Sequence, residues 1–464
     1  MNALAGRIGR FFLNRRNLFV IGFVLTFALT LLEVAHGKQH NFFTFQQSTI
    51  DFWNGESPYG KPYDFLYGPL FSILFAPFAY MGSTVGPFVW NLMNFTLFFY
   101  AIFSVPRITE VQKCKTYLYT ALILATTQMS IQFNPVVAYL FLFAFSLLER
   151  GKPYPAILLI LVSGFCKIYG IFELALLLCY PKFWRNLGFT IVLAAVLLVL
   201  PAVNLGFGGL IPHYERWAEV LSGHVDQFQF YAVFNLYPIH DLLTPVMTQV
   251  QIGSILALAV LFVLNYRKFG RFDFRLGSLG ILMGWVILFS LSTEKHTYVI
   301  ALAGYLMWYW VQARKGWLDR TLFWANLVLL VLVPVDLICP SPVMRFLCDT
   351  VQLNIYCFTF TWLRMIYVTF LRPTEGPDFL GEPADRQADG KLCGCNFAAA
   401  RIYCKLRRFP GMTERPEKNG RAEPEDIRVR MRPETPPRDT GQAACEPEGD
   451  RKLVRTITNQ IAKK

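Results

Sequence analysis

Repeated apolar windows constrain this chain more than any other feature. Stretches 18–32, 85–105, 157–180, 189–203, 252–264, 276–291, 298–311, 322–335 and 355–371 are strongly hydrophobic, and shorter apolar runs occupy 69–81, 117–125 and 136–148. A helix needs roughly 18 to 20 such residues to cross a hydrocarbon core of about 30 Å, and several windows approach that length. With 54% hydrophobic and 16% charged residues, the sequence is incompatible with a soluble globular protein. The expected fold is all-α: a polytopic transmembrane helix bundle with about twelve spans.

Lysine and arginine in short loops set the orientation. Arg7, Arg10, Arg15 and Arg16 precede the first window, and Arg267, Lys268, Arg271 and Arg275, then Arg314, Lys315 and Arg320, lie between later ones. These ends are expected to be cytoplasmic. The first window lacks a small-residue cleavage site, so it reads as an uncleaved anchor with the amino terminus inside. Simple counting leaves two groups misplaced: Arg107, Lys113 and Lys115, and Arg150 and Lys152, fall outside. Re-entrant segments at 69–81 and 157–180 would return them to the cytoplasm without changing later parity. Residues 1–371 form the expected membrane domain. Residues 372–464, rich in Pro, Gly and charge, read as a largely disordered basic cytoplasmic tail, with Lys405, Arg407 and Arg408 attracted to anionic lipid. No nucleic-acid-binding module is visible.

The stretch 41–79, NFFTFQQSTIDFWNGESPYGKPYDFLYGPLFSILFAPFA, places polar chemistry between apolar windows. Phe42, Phe45, Thr49, Phe52 and Trp53 share one helical face, which suits an interfacial helix with its rings at headgroup level. Asn54 and Gly55 stop that helix, and Pro58, Gly60 and Pro62 turn the chain before Tyr63 and Asp64. Asp51, Glu56 and Asp64 thus come near the membrane surface; Asp51 and Glu56 read most simply as solvated loop acids. All six histidines, His36, His40, His213, His224, His240 and His296, fall on the expected non-cytoplasmic face. That pattern fits either ordinary polar loops or a polar site there. Lys167 lies within an apolar window, and an intramembrane charge points to function or to a structural partner.

The order of a first span, an outer loop with an interfacial helix, a WNGESPY turn, then YGPLFSILFAPFAYMG and WNLMN, is similar to glycosyltransferase family 87, membrane enzymes of the GT-C fold. TTQMSIQFN, with Gln128, Gln132 and Asn134, resembles the family's polar cluster; CKIYG, with Lys167, and the loop 292–298, with Glu294 and His296, extend the likeness over about 17–311. The resemblance implies transfer of a hexose, mannose-like, from a polyprenyl-phosphate donor to a lipid or glycan acceptor on the outer face of the cytoplasmic membrane, without a cofactor. Such chemistry needs a carboxylate or imidazole to deprotonate the acceptor, and cations or hydrogen-bond donors for the leaving phosphate. Candidate bases are Asp64, His296, Glu294 and Asp51. Candidate substrate contacts are Asn41, Lys167, Arg216, Lys295, Gln128, Gln132, Asn134 and Tyr67, although Gln128, Gln132 and Asn134 read first as interhelical hydrogen-bonding groups. One departure is chemical: the family's acid near the start of the first outer loop falls on Asn41, and an amide is no base. Either another group serves, Asp64 first, or the chain is noncatalytic.

Around 211–241, Trp217, Phe228, Phe230 and Tyr231 beside Glu215, Arg216 and Asp226 suit a sugar-bearing acceptor, although an interfacial aromatic belt has the same composition. Cys339 and Cys348 flank a short outer loop and are candidates for a disulfide. Cys393, Cys395 and Cys404 lack paired zinc spacing, so no metal is assigned. A transporter should show repeated halves, which are not found; a flippase or noncatalytic subunit of cell-envelope glycan assembly is the competing class.

Overall fold

A computed structural model describes residues 9, 11–61, 65–223, 231–237, 239–290, 293–335 and 338–372. The expected tail lies outside them, as do Asp64, His224, Asp226, Phe228 and Phe230. The described residues are helical and contain no strand. Fourteen longer helices organise them: α1 Arg15–Ala35, α2 His40–Trp53, α3 Pro69–Tyr80, α4 Gly82–Ser104, α5 Glu110–Met129, α6 Asn134–Glu149, α7 Pro153–Cys166, α8 Phe183–Val199, α9 Ala202–Gly223, α10 Met247–Leu264, α11 Phe272–Leu288, α12 Tyr298–Val311, α13 Trp317–Asn326 and α14 Leu353–Ile366. A 3-10 helix, Ile168–Cys179, follows α7 directly.

Local chemistry sets several boundaries. Asn14 caps α1 by accepting from the backbone N–H groups of Arg16 and Asn17 at 2.9 and 3.3 Å. Thr109 and Gln112 form a capping box at the start of α5. Pro69, Pro135 and Pro153 open α3, α6 and α7 within the first turn, where the missing donor costs nothing. α11 and α12 approach closely because Gly280 and Gly304 face each other; a Cβ on Gly280 would lie 2.9 Å from the Gly304 carbonyl oxygen.

Three helices are long and apolar enough to cross a membrane, Arg15–Ala35, Gly82–Ser104 and the His240–Leu264 stretch that includes α10; a fourth arises if α8 and α9, bent by 94°, count together. The expectation of about twelve full-length spans is therefore not met by length. Their outward faces are nevertheless apolar: Val20, Val24, Leu31, Leu256, Val260 and Leu264 are exposed. Side chains of this kind turned outward mark a surface solvated by hydrocarbon.

Contacts fix the helix directions. Cys114 meets Leu13 and Thr26 meets Gln128, so α1 and α5 run parallel. Asn91 meets Thr30 and Phe99 meets Phe19, so α4 runs against them. α2 and α3 are antiparallel, with Gln46 donating to the Ala79 carbonyl at 2.8 Å and Trp53 to that of Ser72 at 3.2 Å. Both therefore lie at the end of the bundle where α1 finishes and α4 begins. The segment 69–81 does not cross to the opposite end, as a simple count of spans expects.

The window 157–180 is corrected as well. It breaks at Lys167, whose extended backbone joins α7 to the 3-10 helix in a hairpin. At its base, Tyr180 donates to Glu149 at 2.6 Å; at its tip, Gly68 N donates to the Cys166 carbonyl at 3.1 Å. Together the two corrections put Arg107, Lys113, Lys115, Arg150 and Lys152 at the end of the bundle that also carries Arg15, Arg275 and Arg320. Arg150, for example, donates to the Ser104 carbonyl at 2.8 Å, and Arg15 stacks over Phe103 at 4.8 Å. The basic groups left misplaced by counting are gathered at one pole.

The aromatic face of α2 packs against protein. Phe42, Phe45, Thr49 and Phe52 are buried, the Phe42 and Phe45 rings 5.5 Å from that of Phe75 on α3. Asp51 is no solvated acid: it is 6% exposed, accepts from Gln47 at 2.8 Å and lies 3.5 Å from Lys61. Cys339 and Cys348, the candidate disulfide pair, are free thiols.

Candidate functional site

Opposite the basic pole, four loops converge. The turn after α5 bends through Ile131, a β-branched residue at φ 47°, a conformation that costs energy and persists only where surroundings hold it. Asn41, at the start of α2, donates to the Ser130 carbonyl of that turn at 2.6 Å. Gln132, leaving the turn, donates from Nε2 to Glu294 Oε2 and accepts from Asn134 Nδ2 at 2.5 Å. Asn134 Oδ1 in turn accepts from Lys167 Nζ at 3.1 Å, at the hairpin tip.

The result is one hydrogen-bonded chain, Glu294–Gln132–Asn134–Lys167, with a carboxylate at one end and an ammonium at the other. Lys167 also lies over the rings of Tyr67 and Tyr169, at 5.7 and 5.1 Å. Aromatic faces stabilise a cation without neutralising it, leaving its charge available to an anion. Glu294 is exposed, whereas Gln132 and Asn134 are buried. The carboxylate therefore stands at the open side of a fixed polar wall.

The 3-10 turn Lys295–Thr297 aims Glu294. Glu294 N donates to Thr297 Oγ1 at 3.0 Å, Thr297 N returns to the Glu294 carbonyl at 3.0 Å, and Asn134 Nδ2 also reaches Thr297 Oγ1 at 3.3 Å. His296, on the same turn, is half-buried; burial pulls its imidazole below the ordinary value against the opposing pull of Glu294.

The structure separates other sequence candidates from this chain. Gln128 points between helices, accepting from Thr26 at 3.0 Å, while Asn91 takes its carbonyl at 2.9 Å. That is interhelical bonding. Arg216 is exposed and paired with Glu219 at 2.9 Å. Asp51 serves the turn that follows α2, where Glu56 N donates to its carbonyl at 2.9 Å. Lys295 turns away from Gln132 to Asp349, 3.0 Å away. Asp64 lies outside the described residues.

α9 covers this end. Asn204 donates to the Phe52 carbonyl, and Trp217 Nε1 to that of Leu66 at 3.0 Å. His213 packs on the rings of Phe52 and Tyr59, at 5.8 and 5.1 Å, with Nε2 buried and unpartnered, and burial lowers its pKa to about 4. Trp217 and His213 thus make specific protein contacts.

Two groups escaped the sequence reading. Asp349 was hidden because its partners, Lys295 and Tyr231, are far away in sequence. Glu173 is fully buried on the 3-10 helix, neither carboxyl oxygen having a partner. The signal for Glu173 was available, since an acid inside an apolar window is as informative as Lys167.

A family model describing glycosyltransferase family 87 matches residues 65–340, more than half of the 464-residue chain. The chain belongs to glycosyltransferase family 87. The matched segment carries Gln132, Asn134, Lys167, Glu294 and His296 of the polar chain and its turn. No curated protein matches the sequence. Family membership and the outward-facing apolar helices together make this a membrane protein of the glycosyltransferase class. Among the described residues, no cluster of three or more His, Cys, Asp or Glu side chains could hold a metal ion.

Proposed function

We propose that this family 87 protein transfers a hexose from a polyprenyl-phosphate donor to a lipid or glycan acceptor at the non-cytoplasmic face of the cytoplasmic membrane, within a GT-C-type helical bundle. The observation that carries the reading is the Glu294–Gln132–Asn134–Lys167 chain, which unites a base and a phosphate-binding cation at the pole away from the basic loops. With the basic pole cytoplasmic, both termini lie inside.

In the proposed inverting reaction the acceptor oxygen attacks the anomeric carbon while the bond from that carbon to the phosphate oxygen breaks. The acceptor proton passes to Glu294, and the electron pair leaves with the phosphate, whose developing charge Lys167 meets. Gln132 holds Glu294 in place, and His296 is a second proton acceptor on the same turn. Tyr67 borders the phosphate side. Asp64 competes with Glu294 as the base.

A noncatalytic or flippase role is the second reading, and Asn41 favours it: an amide spends its donor on the Ser130 carbonyl where the family carries an acid. Proteoliposomes supplied with labelled polyprenyl-phosphate hexose and lipid or glycan acceptors decide between them. Transfer abolished by Glu294→Gln or Asp64→Asn identifies the base. No transfer from any donor, with flipping of the labelled lipid, establishes the second reading.

A further inference from the structure

We propose that Asp349 is a positioning residue of the transfer site, acting through Lys295 and Tyr231. This inference rests on the glycosyl-transfer reading. Asp349 Oδ1 accepts from Tyr231 OH at 2.7 Å and lies 3.0 Å from Lys295 Nζ. The Lys295 ammonium also lies 5.2 Å from the centroid of the Tyr231 ring, so the three side chains close on one another.

Tyr231 is held by its backbone as well. Its N–H donates to the Thr293 carbonyl at 2.9 Å, and its own carbonyl accepts from Tyr298 OH at 2.9 Å. These bonds bracket the turn that carries Glu294. A few residues on, Tyr237 N donates to Gln352 Oε1 at 3.0 Å, so 231–237 is gripped at both ends by the neighbourhood of Asp349.

The mechanical consequence follows from the shortness of the turn. Glu294 and Lys295 are adjacent and lead into one turn of 3-10 helix, so the direction taken by one side chain limits the other. Lys295 anchored on Asp349 leaves Glu294 facing Gln132. Released, the turn is free to rotate, and the carboxylate loses its alignment with the polar wall. Side-chain exposures of 17% for Lys295 and 29% for Asp349 show an anchor at the rim of the site rather than in the core. Asp349 also lies beyond the 65–340 segment that matches the family, so this chain adds the anchor from outside the matched region.

The test uses full-length protein in proteoliposomes, with labelled polyprenyl-phosphate hexose, and compares wild type with Asp349→Ala, Asp349→Glu and Asp349→Asn. Misplacement of a reacting group by about 1 Å costs on the order of 100-fold in rate. Asp349→Ala is expected to lower kcat by about that factor with little change in donor KM or Tm. Asp349→Asn, which keeps an acceptor for Tyr231 but loses the ion pair, falls between. Asp349→Glu recovers most of the rate.

Hydrogen exchange of 293–297 supplies a readout independent of turnover, and Asp349→Ala is expected to accelerate it. Unchanged exchange overturns the proposal. So does a kcat loss that tracks loss of Tm and is not rescued by Glu. Wild-type protein that transfers from no donor, with exchange still accelerated in Asp349→Ala, overturns the transfer reading and reduces Asp349 to an anchor of the turn.

Discussion

Replacing Glu294 by Gln removes a charge while preserving shape, and the structure separates its effects on rate and on stability. Glu294 accepts from Gln132 Nε2, and the side-chain carbonyl of a glutamine in its place can accept the same bond. Converting one charge-assisted hydrogen bond at an exposed residue to a neutral one costs no more than about 1 kcal/mol, and solvent screening reduces it further. The rate is affected differently. An amide accepts no proton, so the whole general-base contribution of roughly 10²- to 10⁴-fold is lost, equivalent to about 3–5 kcal/mol of barrier. Transfer by wild type and Glu294→Gln is measured in proteoliposomes under donor saturation, alongside thermal unfolding in detergent. A fall in kcat of at least about 100-fold with Tm nearly unchanged is the expected pattern. A kcat within about threefold of wild type refutes Glu294 as the base and moves the assignment to Asp64 or His296.

Lys167→Met removes the ammonium but keeps an apolar stem; it should lower kcat by roughly 10²-fold or more, and Lys167→Arg, which places a planar fork between Tyr67 and Tyr169, should recover only part, so equal activity of all three proteins excludes the phosphate role. Glu149 and Arg275 form a buried two-point ion pair at 2.5 and 2.9 Å, with exposures of 4% and 3%. Glu149→Ala therefore strands a buried guanidinium, with an expected loss of about 3–5 kcal/mol in denaturant unfolding, against a much smaller loss for a surface pair such as Arg216–Glu219. His213 has its folded pKa lowered to about 4 from 6.5. Its contribution to stability is complete above the unfolded value and is lost as pH falls from about 6.5 towards 4, by at most about 1.4 kcal/mol per unit. His213→Phe should flatten that part of a Tm–pH profile, and an unchanged slope would show that other groups carry it.

The helical class was legible because apolar windows repeat along the chain, and hydrophobicity is written in every residue. The members of the polar chain were legible for a related reason. Gln132, Asn134 and Lys167 are polar groups in apolar surroundings, and such groups need partners or a ligand. What failed was direction. An apolar run of twelve residues, such as Pro69–Tyr80, has the same composition whether it crosses a bilayer or folds back on α2. Likewise, 157–180 reads as one helix until Lys167 is seen with an extended backbone between two short ones.

Sequence by itself determined that this chain is a helical membrane protein with polar groups and isolated charges lodged among apolar segments, because the cost of solvating each residue type is a local property. It also carried the family's order of motifs. Only the tertiary structure decided which polar groups meet: that Gln132 reaches Glu294 while Gln128 turns to Thr26, that Lys167 sits at a hairpin tip, and that Asp349 anchors Lys295. Those pairings depend on where distant helices end relative to one another. Helix ends are brought together by packing, which no single segment specifies.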